Sequence, residues 1–534
     1  MVHSATSMSR RIWVGSGVSV VVILGGLAAA AFFAWPQVRL ASSGGALARI
    51  VLPRFAGSVA VAVRAPDGRN VSVQLRAGRL WPAGTLAAGE RLIVDVAVRR
   101  PGWASWLVGG TERRSFGVVT PSAAVVARSL RVRNGAQVSV AFDVPVAVVS
   151  LGGGRAQRLA RPQMRVPVGV TATGVHGAGT ILVAAAARTW ERLPAPVRVS
   201  WFPAAPYAQV VADPAPGSQL APGGVLTLTF SQPVGQVLGT RRPQLSPATP
   251  GSWRLLDANS LAFEPTGLGY GLGTTVRIAL PRAVHVAGRP ATVLSRTLAW
   301  PVPLGSTARL QQLLAQLGYL PLDWKPAADP TTSAQAQLAA VVSPPQGRFF
   351  WRYPGTPPEL RALWQAGQPN EITRAAVMSF ESTHGLPVDG ISGPAVWHAL
   401  LKDSLAGRRI TTGYSYVFVH RNVPQSLNLW HDGKVIVTSP GNTGVPAAPT
   451  QLGTFPVFEH IPVGTMSGTN PNGSHYHDPG IQYISYFHGG DAIHAFNRAS
   501  YGTPQSLGCV ELPLAAAARV WPYTPIGTLV TIEN

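Results

Sequence analysis

The sequence predicts a multidomain, mainly β protein with one apolar N-terminal span, tandem β-sandwich domains, a small three-helix domain and a β-rich C-terminal domain. Three observations predict it. The chain has 534 residues, too many for a single hydrophobic core. Glycine (57) and proline (48) are abundant while charged residues are 12% of the whole, which suits short strands joined by turns better than long surface helices. Finally, hydrophobic alternation at period two runs through both halves and gives way to a helical period only between about 304 and 403.

The first element is the apolar span. Ile12 to Trp35, "IWVGSGVSVVVILGGLAAAAFFAW", carries no charge and exceeds the ~20 apolar residues needed to cross a bilayer. Arg10 and Arg11 precede it and no acidic residue does, so the positive-inside tendency keeps the tail in the cytoplasm and the rest outside. Residues 1–36 are therefore expected to be a cytoplasmic tail and single-pass membrane anchor. A cleaved signal ending near Ala28 to Ala31 is the competing reading, disfavoured by the length of the span.

Next come the strand-rich units. Gly135 to Val146, "GAQVSVAFDVPV", and Gly223 to Val234, "GGVLTLTFSQPV", share a glycine, a period-two strand, a phenylalanine and a Pro-Val pair. Alternation buries Val138, Val140 and Phe142 in one copy and Leu226, Leu228 and Phe230 in the other. With "SLAFEPTGLGYGLGTTVRIALP" closing the second copy, this half resembles bacterial immunoglobulin-like domains. The expected units are 48–115 (a possible β domain), 116–205 and 206–303, none with a chemical constellation.

The helical stretch follows. "STARLQQLLAQLGYL" has a Ser/Thr cap, leucines at 310, 313, 314 and 317, and Gly318 as a stop. "NEITRAAVMSFESTHG" starts at a capping Asn370 and ends at Gly385, and "GPAVWHALL" opens with Pro394 in its first turn. The landmarks LGY, AV-x-x-F and DG-x-x-G-P-x-x-W resemble the small peptidoglycan-binding domain. That resemblance implies wall binding by residues 304–403, interrupted by an insertion from Pro321 to Gln365.

From Ile410 the period returns to two, and Asp432-Gly433 marks a tight hairpin. Cys509 is the only cysteine, so no intramolecular disulfide forms and the thiol is free. His494 stands upstream in "DAIHAFNRASYGTPQSLGCVELP". Two strands joined by a Gly/Pro-rich loop bring imidazole and thiol together, where the base activates the nucleophile and an imidazolium holds the thiolate pKa down. Backbone N–H groups around Gly508 and Cys509 are candidates for an oxyanion site. Spacing alone leaves open a buried, inert cysteine.

The segments "TSPGNTGVPAAPTQLGTFPV", "YISYFHGGDAIHAF", "SLGCVELP" and "PIGTLVTI" resemble the YkuD-type L,D-transpeptidase catalytic domain over 410–534. The resemblance implies Cys509 as nucleophile and His494 as general base, with the Ala495 carbonyl orienting the imidazole and Ser506 and Gly508 shaping the oxyanion loop. It implies a cysteine acyl-enzyme that takes a tetrapeptide stem as donor and an amine of a second stem as acceptor, giving 3→3 cross-links in the cell wall without a cofactor. L,D-carboxypeptidase trimming and a non-catalytic wall-binding scaffold are the alternatives. Two positions depart from the family: Leu507 stands where histidine is common, and Glu511 where arginine or asparagine is common. A carboxylate at 511 faces the same side of a strand as Cys509. It either opposes the thiolate and raises its pKa or orients His494.

A metal reading draws on His475, His477, Asp478, His488 and His494, but their spacing matches no ligand motif and no metal is expected. Lys+Arg (44) exceed Asp+Glu (22) by 22, yet arginines such as Arg99, Arg131 and Arg241 are scattered without a nucleic-acid motif. An anionic wall or membrane surface, and no nucleic acid, is the expected partner.

Overall fold

The computed structural model describes residues 37–534 apart from 55, 104, 106–108, 174–176, 288–295 and 329–331. The expected membrane span, Ile12 to Trp35, lies outside the described residues. Among those described, no helix is long and apolar enough to cross a membrane. The chain divides into two compact units near Val211, with a short exchange of chain at 285–293.

The N-terminal unit is built from β-sheets. Two four-stranded sheets share one core that includes Leu80, Leu92, Val94 and Val96. Strand Thr111–Val119 of this pair runs through the boundary expected at 116. A five-stranded sheet follows, in which the 15-residue strand Gln137–Leu151 lies second from one edge and buries Val138, Val140 and Phe142 as alternation requires.

In the second unit, strand Leu226–Phe230 buries every residue, its two threonines included, because it is covered on both faces. The repeat breaks after that strand. Pro145-Val146 continues its strand, whereas Pro233-Val234 caps and opens the short helix Val234–Leu238.

Helix Thr307–Leu317 starts where Ser306 Oγ accepts the Arg309 N–H at 3.3 Å, and it stops at Gly318. It buries Leu310, Leu313, Leu314 and Leu317, but also Arg309, Gln311 and Gln312, which an amphipathic wheel places in water. The insertion is the reason. Strands Leu322–Pro326 and Gly347–Trp351 pair antiparallel, and helix Ala334–Val342 packs against the first helix. Helix Glu371–Thr383 is capped by Asn370, whose Oδ1 accepts the Thr373 N–H at 2.9 Å. Pro394 opens helix Pro394–Leu405.

The last domain pairs two sheets around a core that includes Val417, Leu429, Ile493, Val510 and Val530. One sheet runs Lys434–Pro440, Ser426–His431, Ser415–His420, Leu529–Glu533, Gly453–Pro456. The other runs Glu459–Thr469, His475–His488, Asp491–Ala495, Val510–Leu512. Asp432-Gly433 forms the expected tight turn, with both residues at positive φ and His431 opposite Lys434.

This domain rests directly on the helical one. At Gly527 (φ +86°) a Cβ would stand 2.4 Å from the Ala375 carbonyl oxygen, so only glycine lets the turn approach helix Glu371–Thr383. The Trp430 indole N–H donates to the Gly355 carbonyl at 3.1 Å.

Candidate active site

Strands Asp491–Ala495 and Val510–Leu512 run parallel with His494 opposite Glu511. Because side chains alternate along a strand, Cys509 lies on the same face as Glu511 and therefore as His494. The thiol sits just before the second strand, half-buried, beside a small apolar cluster of Ile481, Ile484 and Ala492. Imidazole and thiol share a face, but the resting thiol's hydrogen bond goes to the Gly490 carbonyl at 3.7 Å.

His494 is 3% exposed. Its Nδ1–H donates to the Ala495 carbonyl at 3.0 Å, which leaves Nε2 as the lone-pair nitrogen of the neutral ring. Burial pulls the imidazole below its ordinary pKa, partly offset by that carbonyl and by the Glu511 charge. Burial likewise pushes the Cys509 thiol up to about 12, with Asp491 and Glu511 adding to the rise. For both groups burial works against the charged form, and so against the thiolate–imidazolium pair expected from the sequence.

Glu511 agrees in direction with the first reading left open by the sequence, since its charge adds to the rise of the thiol, but it does so as a paired carboxylate. It is 4% exposed and neither unpaired nor bonded to His494. Arg498 grips it in a two-toothed fork, Nε to Oε2 at 2.8 Å and Nη2 to Oε1 at 2.7 Å. The guanidinium also lies over the Phe496 ring, 4.5 Å from its centroid.

Ser506 and Gly508 set the loop. Ser506 Oγ donates to the Cys509 carbonyl at 2.5 Å and accepts the Gly508 N–H at 3.3 Å. The Gly508 amide is thus engaged at rest rather than free for an oxyanion. Gly508 has φ +116°, and a Cβ there would stand 2.1 Å from Asp491 Oδ1. Leu507 is half-buried in the same loop.

Sequence reasoning missed several neighbours. Asn442 exchanges backbone hydrogen bonds with Glu511 at 2.9 Å, and its Oδ1 accepts the Gly502 and Thr503 amides. Asp491 abuts the Gly508 turn and stands 3.7 Å from His488 Nδ1. The sole sequence signal for Asp491 was its place in the "HGGDAIH" stretch. In the long hairpin Glu459–Thr469/His475–His488, His475 and His477 are exposed while Tyr476 and Asp478 are half-buried. The Tyr476 hydroxyl is pushed up by burial and by the nearby Cys509. Among the described residues, no three His, Cys, Asp or Glu side chains group as a metal-ligand set.

The family model of the YkuD L,D-transpeptidase catalytic domain matches residues 414–532, and that of a putative peptidoglycan binding domain matches 365–400. Among solved structures, an L,D-transpeptidase from Mycobacterium smegmatis is similar at 12% identity and TM-score 0.21, covering 61% of this chain and 99% of that one. The catalytic domain of an Enterococcus faecium L,D-transpeptidase is 25% identical at TM-score 0.21, over 23% of this chain and 99% of that one. L,D-transpeptidase 3 from Mycobacterium tuberculosis, in complex with a faropenem-derived adduct, is 11% identical at TM-score 0.21, over 60% and 97%. No curated protein matches the chain.

Proposed function

We propose that this chain, which carries an L,D-transpeptidase catalytic domain and a peptidoglycan-binding domain, forms 3→3 cross-links between wall stem peptides through an acyl-enzyme on Cys509. The observation that carries the proposal is the parallel register that sets His494, with its Nδ1 committed to Ala495, on the face of the thiol. As Sγ attacks the carbonyl preceding the terminal D-alanine of a tetrapeptide donor, Nε2 takes the thiol proton. The tetrahedral oxyanion is met by backbone amide at Cys509. His494 returns the proton to the departing D-alanine amine, leaving a thioester. A side-chain amine of a second stem then attacks the thioester, passes its proton through Nε2, and displaces the thiol as the cross-link forms.

The N-terminal span is assigned in the same proposal as a retained membrane anchor, with the β units as a spacer that holds the enzyme outside the membrane. N-terminal sequencing of protein from the membrane fraction tests it: a start near Ala31 refutes retention. Catalysis is tested by incubating the protein with a disaccharide-tetrapeptide and following products by mass spectrometry. Release of D-alanine with a dimer is the expected result. Release without a dimer identifies trimming, and no release by wild type refutes the catalytic assignment.

A further inference from the structure

Arg309 is a buried cation with no acidic partner among the described residues. Its side chain belongs to a residue only 3% exposed, on the first helix of the helical domain. Nη1 donates to Gln312 Oε1 at 3.1 Å and Nη2 to Gln337 Oε1, both neutral acceptors. Nε has no hydrogen-bond partner. Burial lowers the guanidinium pKa to about 10. Asp323, the sequence neighbour of the cavity-lining Trp324, is held by Arg352 at 3.1 Å and by Arg409 at 3.0 Å. A charge taken out of water without a counter-ion is costly, and three of its five N–H groups remain unused.

Arg309 lines a cavity of about 490 Å³ between this helix and the insertion. Trp324, Ala336, Ala340 and Pro345 form its apolar walls. Gln316, which lines the same cavity seven residues along the helix, has a buried Oε1 that is also without a partner. Two turns of helix separate it from Arg309, roughly 10 Å of rise. An extended peptide covers that distance in about three residues.

We propose that this cavity binds the C-terminal end of a short peptide with small side chains, its carboxylate on Arg309 and a backbone N–H on Gln316. The orphan donors demand an anion, the orphan acceptor demands an N–H, and the alanine-lined walls admit methyl-sized side chains. Planar carboxylate matches the guanidinium fork better than a spherical anion does. The site lies largely in the 321–365 insertion and outside the stretch matched by the binding-domain family, residues 365–400. Assigning the ligand to a wall stem peptide rests on the function proposed above. The chemistry of the site does not.

Isothermal titration calorimetry of the full chain with Nα-acetyl-Ala-Ala, in its D,D and L,L forms, tests this. Saturable binding of at least one free acid is expected, at least tenfold weakened in the C-terminal amide. Arg309→Met should weaken it at least tenfold, and so should Ala340→Phe, which fills the cavity and leaves the cation in place if Arg309→Met fails to fold. Both variants should react with iodoacetamide at Cys509 at the wild-type rate, and Cys509→Ala should bind the peptide as wild type does. Absence of saturable binding overturns the proposal, as does equal binding of acid and amide or loss of binding on substituting Cys509 alone. Peptide bound at Arg309 by a protein that forms no acyl-enzyme would refute the catalytic assignment and leave this site standing.

Discussion

Replacing Glu511 with glutamine changes the charge beside the nucleophile while keeping its shape. Two residues along an extended strand place the carboxylate roughly 7 Å from Cys509, at about 3.3 Å per residue. At an effective dielectric of ~20 a unit charge at that distance acts with about 2 kcal/mol. Solvent at the half-buried thiol reduces this, and about 1.4 kcal/mol corresponds to tenfold in thiolate population. A more acidic thiolate is also a weaker nucleophile, with roughly half of the logarithmic gain lost, so iodoacetamide should react about threefold faster with Glu511→Gln at pH 8. Arg498→Met removes the opposite charge and should slow the same reaction. The two variants also differ in stability. Arg498 keeps 30% of its side chain in solvent, whereas Glu511 is buried, so stranding the glutamate costs more, about 3 kcal/mol or above. Pseudo-first-order alkylation rates followed by mass spectrometry, beside thermal melts, give both quantities. Slower alkylation of Glu511→Gln, or faster alkylation of Arg498→Met, would refute the reasoning and return Glu511 to the role of a group that orients His494.

Further outcomes follow from the same geometry. Alkylation of wild type should climb steadily from pH 7 to 10 without a plateau, because burial pushes the thiol up to about 12; a plateau below pH 8 would mean a preformed ion pair. Under the proposed function, release of D-alanine from the disaccharide-tetrapeptide should keep its acid limb below pH 6.5, the ordinary histidine value of about 6.5 being lowered by burial of His494, and activity should be lost in His494→Ala. Protonation of Nε2 removes the base, so activity is lost as pH falls through that lowered value. Gly508→Ala forces a Cβ onto Asp491 at a φ that side chains rarely adopt, so it should cost about 1–3 kcal/mol in a melt and abolish D-alanine release from the disaccharide-tetrapeptide. Trp397→Ala empties the fully buried contact that lies against Gly305 and should destabilise the helical domain by about 3–5 kcal/mol, measured by urea denaturation.

Local chemistry made part of the molecule legible. Ser306, Asn370 and Pro394 mark helix starts because capping depends on residues within one turn, and Asp432-Gly433 marks a hairpin because its turn needs positive φ at both positions. Cys509 and His494 stood out by residue type and family pattern, and alternation along the strands put them on one face. Their electrostatics did not stand out, because the fork from Arg498 and the pressure of Asp491 depend on loops whose course no periodicity encodes. The burial of Arg309, Gln311 and Gln312 was equally hidden. A helical wheel sees only its own helix, while the insertion that covers those residues is placed by the pairing of Leu322–Pro326 with Gly347–Trp351. The Pro-Val repeat misled in the opposite way, since one pair prolongs a strand and the other starts a helix.

The bare backbone contact at Gly527 also has a mechanical side. A module joined by a flexible tether lets its enzyme sample a sphere of targets, with an effective concentration set by tether length. Here the turn at Gly527 presses on the carbonyl of Ala375, and Trp430 is bonded to Gly355, so helix and catalytic sheet behave as one casting. Whatever the helical domain grips, the cleft then points at a fixed offset from it. Under the proposed function, such a jig favours stems at one spacing over those a few ångströms nearer or farther, so selection among neighbouring strands becomes a matter of distance as much as of chemistry.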